Sequence, residues 1–162
     1  MIGLRMSASP PDLAGLYDRL GRRLYAYALS LTGDASRSED AVQDAFLRLL
    51  QYAPGRDLKS LEGFLFTATR NLILDDHRRR AVRRQTPAPL VLTQASGAPD
   101  DAASQALGTL PEEQREAVVL KIYGELTFAE IGEVTGTSLS TAAARYRLGI
   151  EKLGELLSRN ET

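Results

Sequence analysis

Thr127 to Lys152 reads TFAEIGEVTGTSLSTAAARYRLGIEK, and this stretch decides the fold of the C-terminal part of the chain. Thr127 and Glu130 have the spacing of a capping box, in which each side chain satisfies the other's free backbone amide at a helix start. Ile131 and Val134 supply an apolar stripe, and Gly136 permits the left-handed backbone of a tight interhelical turn. Ser138 can cap a second helix, along which Ala142, Tyr146, Ile150 and Leu153 recur at helical spacing. Gly132 and Gly136 lie four apart, with the small Ala142 beyond them, as close crossing of two short helices requires. The pattern predicts a helix-turn-helix, whose second helix enters the DNA major groove. An ordinary helical hairpin is the alternative reading of these residues.

Composition narrows the rest. The chain has 162 residues, 43% of them hydrophobic, enough for one domain or two small ones. It has no cysteine, which removes a disulfide framework and thiolate metal sites and fits a reducing compartment. Met1 to Met6 has no signal-peptide core, and no apolar run approaches the roughly 20 residues of a membrane span. A cytoplasmic protein without membrane insertion is expected.

The net charge of −1 conceals an asymmetry. Residues 1–86 carry 14 Lys/Arg against 10 Asp/Glu, a net of +4, whereas residues 111–162 carry 6 against 9, a net of −3. The half with the helix-turn-helix is acidic. DNA affinity comes largely from neutralising phosphates, so that half needs help from elsewhere.

The first half reads as a helical domain spanning 10–85. Leu13, Leu16, Tyr17, Leu20, Leu24, Tyr27, Ala28 and Leu31 form one helical stripe, ended by Thr32-Gly33-Asp34. Ser36 and Glu39 read as a second capping box, opening a helix with Val42, Ala45, Phe46, Leu49 and Ala53 inside, broken by Pro54-Gly55. A third helix from near Ser60 buries Leu61, Phe64, Leu65, Ala68 and Leu72, and runs into Arg78-Arg79-Arg80 and Arg83-Arg84. Residues 86–106 lack periodicity and read as a flexible linker. A second domain, 107–158, has its first helix near Leu110-Pro111-Glu112-Glu113, with Val118, Val119 and Ile122 as its stripe and Gly124 at its end. The fold class is all-α: two small helical domains joined by a linker.

Catalytic patterns are missing. Asp75-Asp76-His77 invites a metal-site reading, but consecutive helical residues fan out by about 100° each and cannot converge on one ion. No phosphate-binding glycine loop or nucleophile elbow is present. No enzyme activity and no cofactor are expected. The arginine run exceeds what a helix end needs, and Phe66, Arg70, Leu74 and His77 share a face read as turned away from the core. An aromatic beside cations suits a single strand. On the second helix, Asp40, Gln43, Asp44, Leu47 and Gln51 form an outer face that fits either plain solvated surface or a partner protein.

These parts, SEDAVQDAFLRLL, GFLFTATRNLILDDHRRR and LPEEQREAVVLKIYGELTFAEIGEVTGTSLSTAAARYRLGIEKL in order, resemble the bacterial RNA polymerase sigma factors of the sigma-70 family, extracytoplasmic-function subclass. The resemblance covers roughly 12–84 and 107–157. It implies a region 2-like domain, then a winged-helix-like region 4 domain, and a factor that binds core RNA polymerase and opens promoter DNA. Asp40, Gln43, Asp44 and Leu47 would then dock on the clamp helices of the β′ subunit. The loop Pro54–Ser60 with Phe66, Arg70, Asn71, Arg78, Arg79 and Arg80 would melt and hold the minus-ten element. Ser140, Thr141, Ala144, Arg145 and Arg147 would read the minus-thirty-five element, with the β flap alongside. The linker, with Asp100-Asp101, would thread polymerase channels, and an anti-sigma factor is an implied partner. Phe64 stands where the family often has tryptophan, no lysine stands near Ala143, and Thr135 and Thr137 replace larger apolar residues, which should loosen that lobe. A freestanding helix-turn-helix regulator remains the alternative.

Overall fold

The computed structural model describes residues 13–52, 58–84 and 102–161. Ala53, Pro54-Gly55, most of the linker and Asp100-Asp101, to which the sequence assigned roles, lie outside the described residues. Seven helices are present among those described: α1 (Leu13–Thr32), α2 (Ala35–Tyr52), α3 (Leu58–Arg84), α4 (Ala102–Thr109), α5 (Glu112–Ile122), α6 (Phe128–Thr135) and α7 (Leu139–Asn160). The all-α expectation holds.

Helices α1, α2 and α3 pack on one another to form the N-terminal lobe. The α1 stripe is buried from Leu16 to Leu31, while Tyr17 is half-exposed and meets the Phe46 ring at a centroid distance of 5.3 Å. The start of α2 is set by Asp34 rather than by the expected Ser36–Glu39 box. Its carboxylate accepts from the Arg37 amide at 3.0 Å, and Thr32 and the buried Ser38 hydroxyl complete the turn at 2.6 Å. Asp34 takes the capping position because Gly33, at φ 66°, reverses the chain directly before it.

The C-terminal lobe is built from α4 to α7. Helix α4 begins within residues 86–106, which the sequence reading assigned to the linker, and continues into the expected second domain, because Ala106 and Leu110 bury their side chains and the helix packs on α7. Pro111 precedes α5 as its N-cap. The capping box of α6 forms in both directions, Glu130 amide to Thr127 hydroxyl at 3.2 Å and Thr127 amide to Glu130 carboxylate at 3.0 Å. Gly136 takes φ 71°, and a Cβ on Gly132 would lie 2.7 Å from the Thr137 carbonyl oxygen, so both glycines are needed for the tight turn. Thr135 and Thr137 pair their hydroxyls at 3.0 Å, and Thr135 also donates to the Ile131 carbonyl. The two threonines expected to loosen the lobe thus satisfy each other's hydroxyls at the turn.

Two stripe assignments change. Ile122 and Ile150 are exposed, whereas Ala117, Val118, Val119 and Leu120 are buried in succession and Gly149 faces Val118. Helix α5 is covered on more than one side, by α7 and α6 and also by α1. The reason is that the two lobes touch. Helix α6 packs on α3, and Val119, Leu120, Leu126, Ile131, Val134 and Ala142 join the N-terminal residues in one apolar cluster.

Candidate nucleic-acid interface

The second helix of the helix-turn-helix, α7, opens with Ser138 as N-cap, its hydroxyl accepting from the Thr141 amide at 3.1 Å. The same hydroxyl donates to the Thr141 side chain at 2.9 Å, so Thr141 serves the cap. Ser140 and Arg147 are exposed and Ala144 is half-buried. Arg145 pairs with Glu113 of α5 at 3.4 Å. Leu139, 54% exposed beside Ser140, belongs to the same outward turn and was missed in the sequence because an isolated leucine at a helix start reads as core. Behind this helix, Phe128 packs on Tyr146 at 5.4 Å and the Lys121 ammonium lies 4.5 Å from the Phe128 centroid.

In the N-terminal lobe, a pocket of about 530 Å³ opens between α2 and α3, lined by Arg48, Gln51, Phe64, Thr67, Ala68 and Asn71. Phe64, Thr67, Ala68 and Asn71 stand at i, i+3, i+4 and i+7, one helical face only partly covered by α2. Asn71 was among the expected contacts. Arg48 and Thr67 were not, since only the crossing of α2 over α3 brings them together.

Phe66 and Arg70 lie elsewhere. The sequence placed them with Leu74 and His77 on an outward face, and the structure corrects this. Phe66 is fully buried, its ring 5.8 Å from that of Tyr27, and Arg70 donates Nε to Glu116 of α5 at 2.7 Å. Neighbouring helical residues point about 100° apart, so Asn71 can face the pocket while Arg70 faces the C-terminal lobe. Burial opposes the Arg70 charge, but Glu116 outweighs it and holds the guanidinium more firmly protonated than usual. Tyr27, enclosed and donating to Glu116 at 2.7 Å, has its hydroxyl pushed well above the ordinary phenol range, first by burial and then by the carboxylate.

The arginine run is divided as well. Arg78 and Arg79 are exposed, Arg78 lying 3.7 Å from Asp75. Arg80 pairs with Asp76 at 3.0 Å, and Asp76 also takes Arg37 at 2.9 Å. Asp40, Gln43, Asp44, Leu47 and Gln51 are all exposed along α2, Leu47 by 56%, Leu50 adds a second exposed leucine, and Gln51 also borders the pocket.

The two lobes match two regions of one protein family in the same order. The family model for sigma-70 region 2 matches residues 16–83, and that for sigma-70 region 4 matches residues 100–153. The chain is 30% identical over 145 residues to the ECF RNA polymerase sigma factor EcfG of Rhodopseudomonas palustris, covering 83% of this chain and 78% of that protein. It is 29% identical over 156 residues to the ECF RNA polymerase sigma factor SigL of Mycobacterium tuberculosis, covering 87% and 86%. Among solved structures it resembles the sigma factor RpoE of Bartonella quintana in complex with the anti-sigma factor NepR. The TM-score is 0.71 at 25% identity, over 91% of this chain and 97% of that one. With both regions matched in order and relatives aligned over most of their length, the chain belongs to the extracytoplasmic-function subclass of the sigma-70 family of RNA polymerase sigma factors.

Proposed function

We propose that the chain is a transcription initiation factor that binds core RNA polymerase, recognises a two-part promoter and promotes DNA opening. The observation that carries this reading is the ordered pair of sigma regions, each with its own exposed face. The α2 face of Asp40, Gln43, Asp44 and Leu47 is acidic and apolar together, and suits the clamp helices of β′. The pocket of Arg48, Gln51, Phe64, Thr67, Ala68 and Asn71 suits one base turned out of the minus-ten element. Extruding a base costs a few kcal/mol, which ring contact and amide hydrogen bonds can offset. The exposed Arg78, paired only loosely with Asp75, and Arg79 would meet the backbone beyond it, and Arg80 would join them on leaving Asp76. Ser140, Thr141, Ala144, Arg145 and Arg147 of α7, with Leu139 added, would read the minus-thirty-five element, where small apolar groups meet thymine methyls. Residues 10–85 would form the region 2 domain. The C-terminal domain would begin with α4, slightly before the expected 107, and touch the β flap.

A partner of the anti-sigma kind follows from the Bartonella quintana relative, which is bound to one. No helix among the described residues is long and apolar enough to cross a membrane, and the site of action is proposed to be the cytoplasm, with the polymerase. The acidic C-terminal lobe speaks against the freestanding regulator, which would concentrate basic charge on its helix-turn-helix. Run-off transcription with purified core polymerase and a genomic promoter library tests the function. Discrete transcripts dependent on the protein are expected; no transcript, together with failure to comigrate with core, would overturn it.

A further inference from the structure

The arginines at the end of α3 are joined by one from another helix. Arg37, in the first turn of α2, reaches a single carboxylate oxygen of Asp76 with both Nε, at 3.1 Å, and Nη2, at 2.9 Å. The same oxygen accepts from Arg80 Nε at 3.0 Å. Arg37 is fixed at its base as well, because its backbone amide donates to the Asp34 carboxylate that caps the helix. Two guanidinia are therefore held against one oxygen, and the carboxylate between them carries only one charge.

An ion pair that merely tied α2 to α3 would need one arginine. The second leaves the cluster cationic, and it belongs to a stretch, residues 78–84, with five arginines and no acid. Like charges brought this close repel, and an anion between them relieves the repulsion. A phosphodiester offers what Asp76 offers, one negative charge shared over two oxygens that accept from guanidinium forks. The Asp76 side chain is 41% exposed and that of Arg80 42%, so a ligand from solvent can reach the cluster in the folded protein.

We propose that Arg37 and Arg80 form one backbone-phosphate site across α2 and α3, with Asp76 as the placeholder that keeps their guanidinia together in the free protein. A DNA phosphate takes both arginines, and the Asp76 carboxylate is released to solvent. Arg37 thereby becomes a DNA-contacting residue on a helix whose other exposed residues are read as facing polymerase. The site positions DNA and carries no base information. The inference rests on reading the arginine end of α3 as a DNA surface.

The test uses the full chain, isotope-labelled, and a random-sequence duplex of about 30 base pairs at low salt, since phosphate contacts need no promoter. The Nε–H resonances of Arg37 and Arg80, assigned by their loss in Arg37→Lys and Arg80→Lys, should shift together along one binding curve. That of Arg22, exposed on α1, should stay still. In fluorescence anisotropy with the same duplex, Arg37→Ala should lower the salt slope by about one, and Arg22→Ala should leave it unchanged. Asp76→Asn removes the competing charge and should tighten binding at least about threefold, whereas loss of a purely structural bridge would weaken binding or leave it unchanged. Circular dichroism confirms that each variant is folded.

A shift of Arg80 without Arg37, or a native salt slope in Arg37→Ala, overturns the two-helix site and leaves the α3 reading standing. Resonances of Arg78, Arg79 and Arg80 that all stay still overturn the α3 reading and the site with it. Binding that is weaker or unchanged in Asp76→Asn overturns the placeholder role. Shared shifts, a lowered slope in Arg37→Ala and tighter binding by Asp76→Asn together support the site.

Discussion

Asp76 illustrates how a single residue acquires its role from two directions. It accepts Arg37 from the start of α2 and Arg80 from one turn further along α3, tying the helices together. Burial alone would raise its carboxyl, but the Arg37 hydrogen bond and the Arg80 charge prevail and hold it below the ordinary value. A carboxyl depressed by folding contributes stability above its unfolded pKa of about 3.9, and that stability is lost as pH falls through the lower folded value. Urea unfolding at pH 6 and pH 3 should therefore show a smaller acid-induced loss in Asp76→Asn than in the native chain. An equal loss would mean that the two arginines do not set this carboxyl. In the sequence Asp76 stood out only as a neighbour of His77. The partner that matters, Arg37, is 39 positions away and no local pattern points to it.

Among the elements, the α6–α7 turn is the one most completely legible from sequence. Its box, cap and glycines all act within six residues, so the local spacing of Thr127, Glu130, Gly132, Gly136 and Ser138 contains the geometry. The close approach at Gly132 makes a quantitative case. Alanine there forces a Cβ to 2.7 Å from the Thr137 oxygen and 3.2 Å from the Ser138 carbonyl carbon, and should cost about 1–3 kcal/mol despite its better helix propensity. Gly154 in α7 has open space around the same position, so Gly154→Ala should instead stabilise by up to about 1 kcal/mol. Chemical denaturation of both variants decides; shifts of the same sign would mean that packing at Gly132 is not tight. Helix α3 was the least legible element. One face packs on α1 and α2 and another on α6, so its burial wraps around the axis and the single stripe read from periodicity identified only half of it.

At the scale of the whole molecule, the arrangement separates what is open from what is closed. The α2 face lies outside the contact between the lobes, and its charge and exposed leucines bear no packing. Asp44→Arg combined with Leu47→Asp should therefore lower affinity for core polymerase at least about tenfold while leaving thermal stability within about 0.5 kcal/mol of the native chain. Unchanged affinity by titration with labelled core would remove this face from the docking role.

The sequence by itself determined every helix but α4, their order, the turn between α6 and α7 and the family, because these rest on contacts a few residues apart and on motifs read in line. Tertiary structure decided which side of each helix is hidden. It buried Phe66 against Tyr27, gave Arg70 to Glu116, exposed Ile122 and Ile150, and drew Arg48 beside Asn71. The physical reason is that helical periodicity reports an apolar stripe but not the element that will cover it. When two lobes of opposite charge fold onto each other, buried ion pairs and close approaches form between residues whose separation along the chain carries no signal.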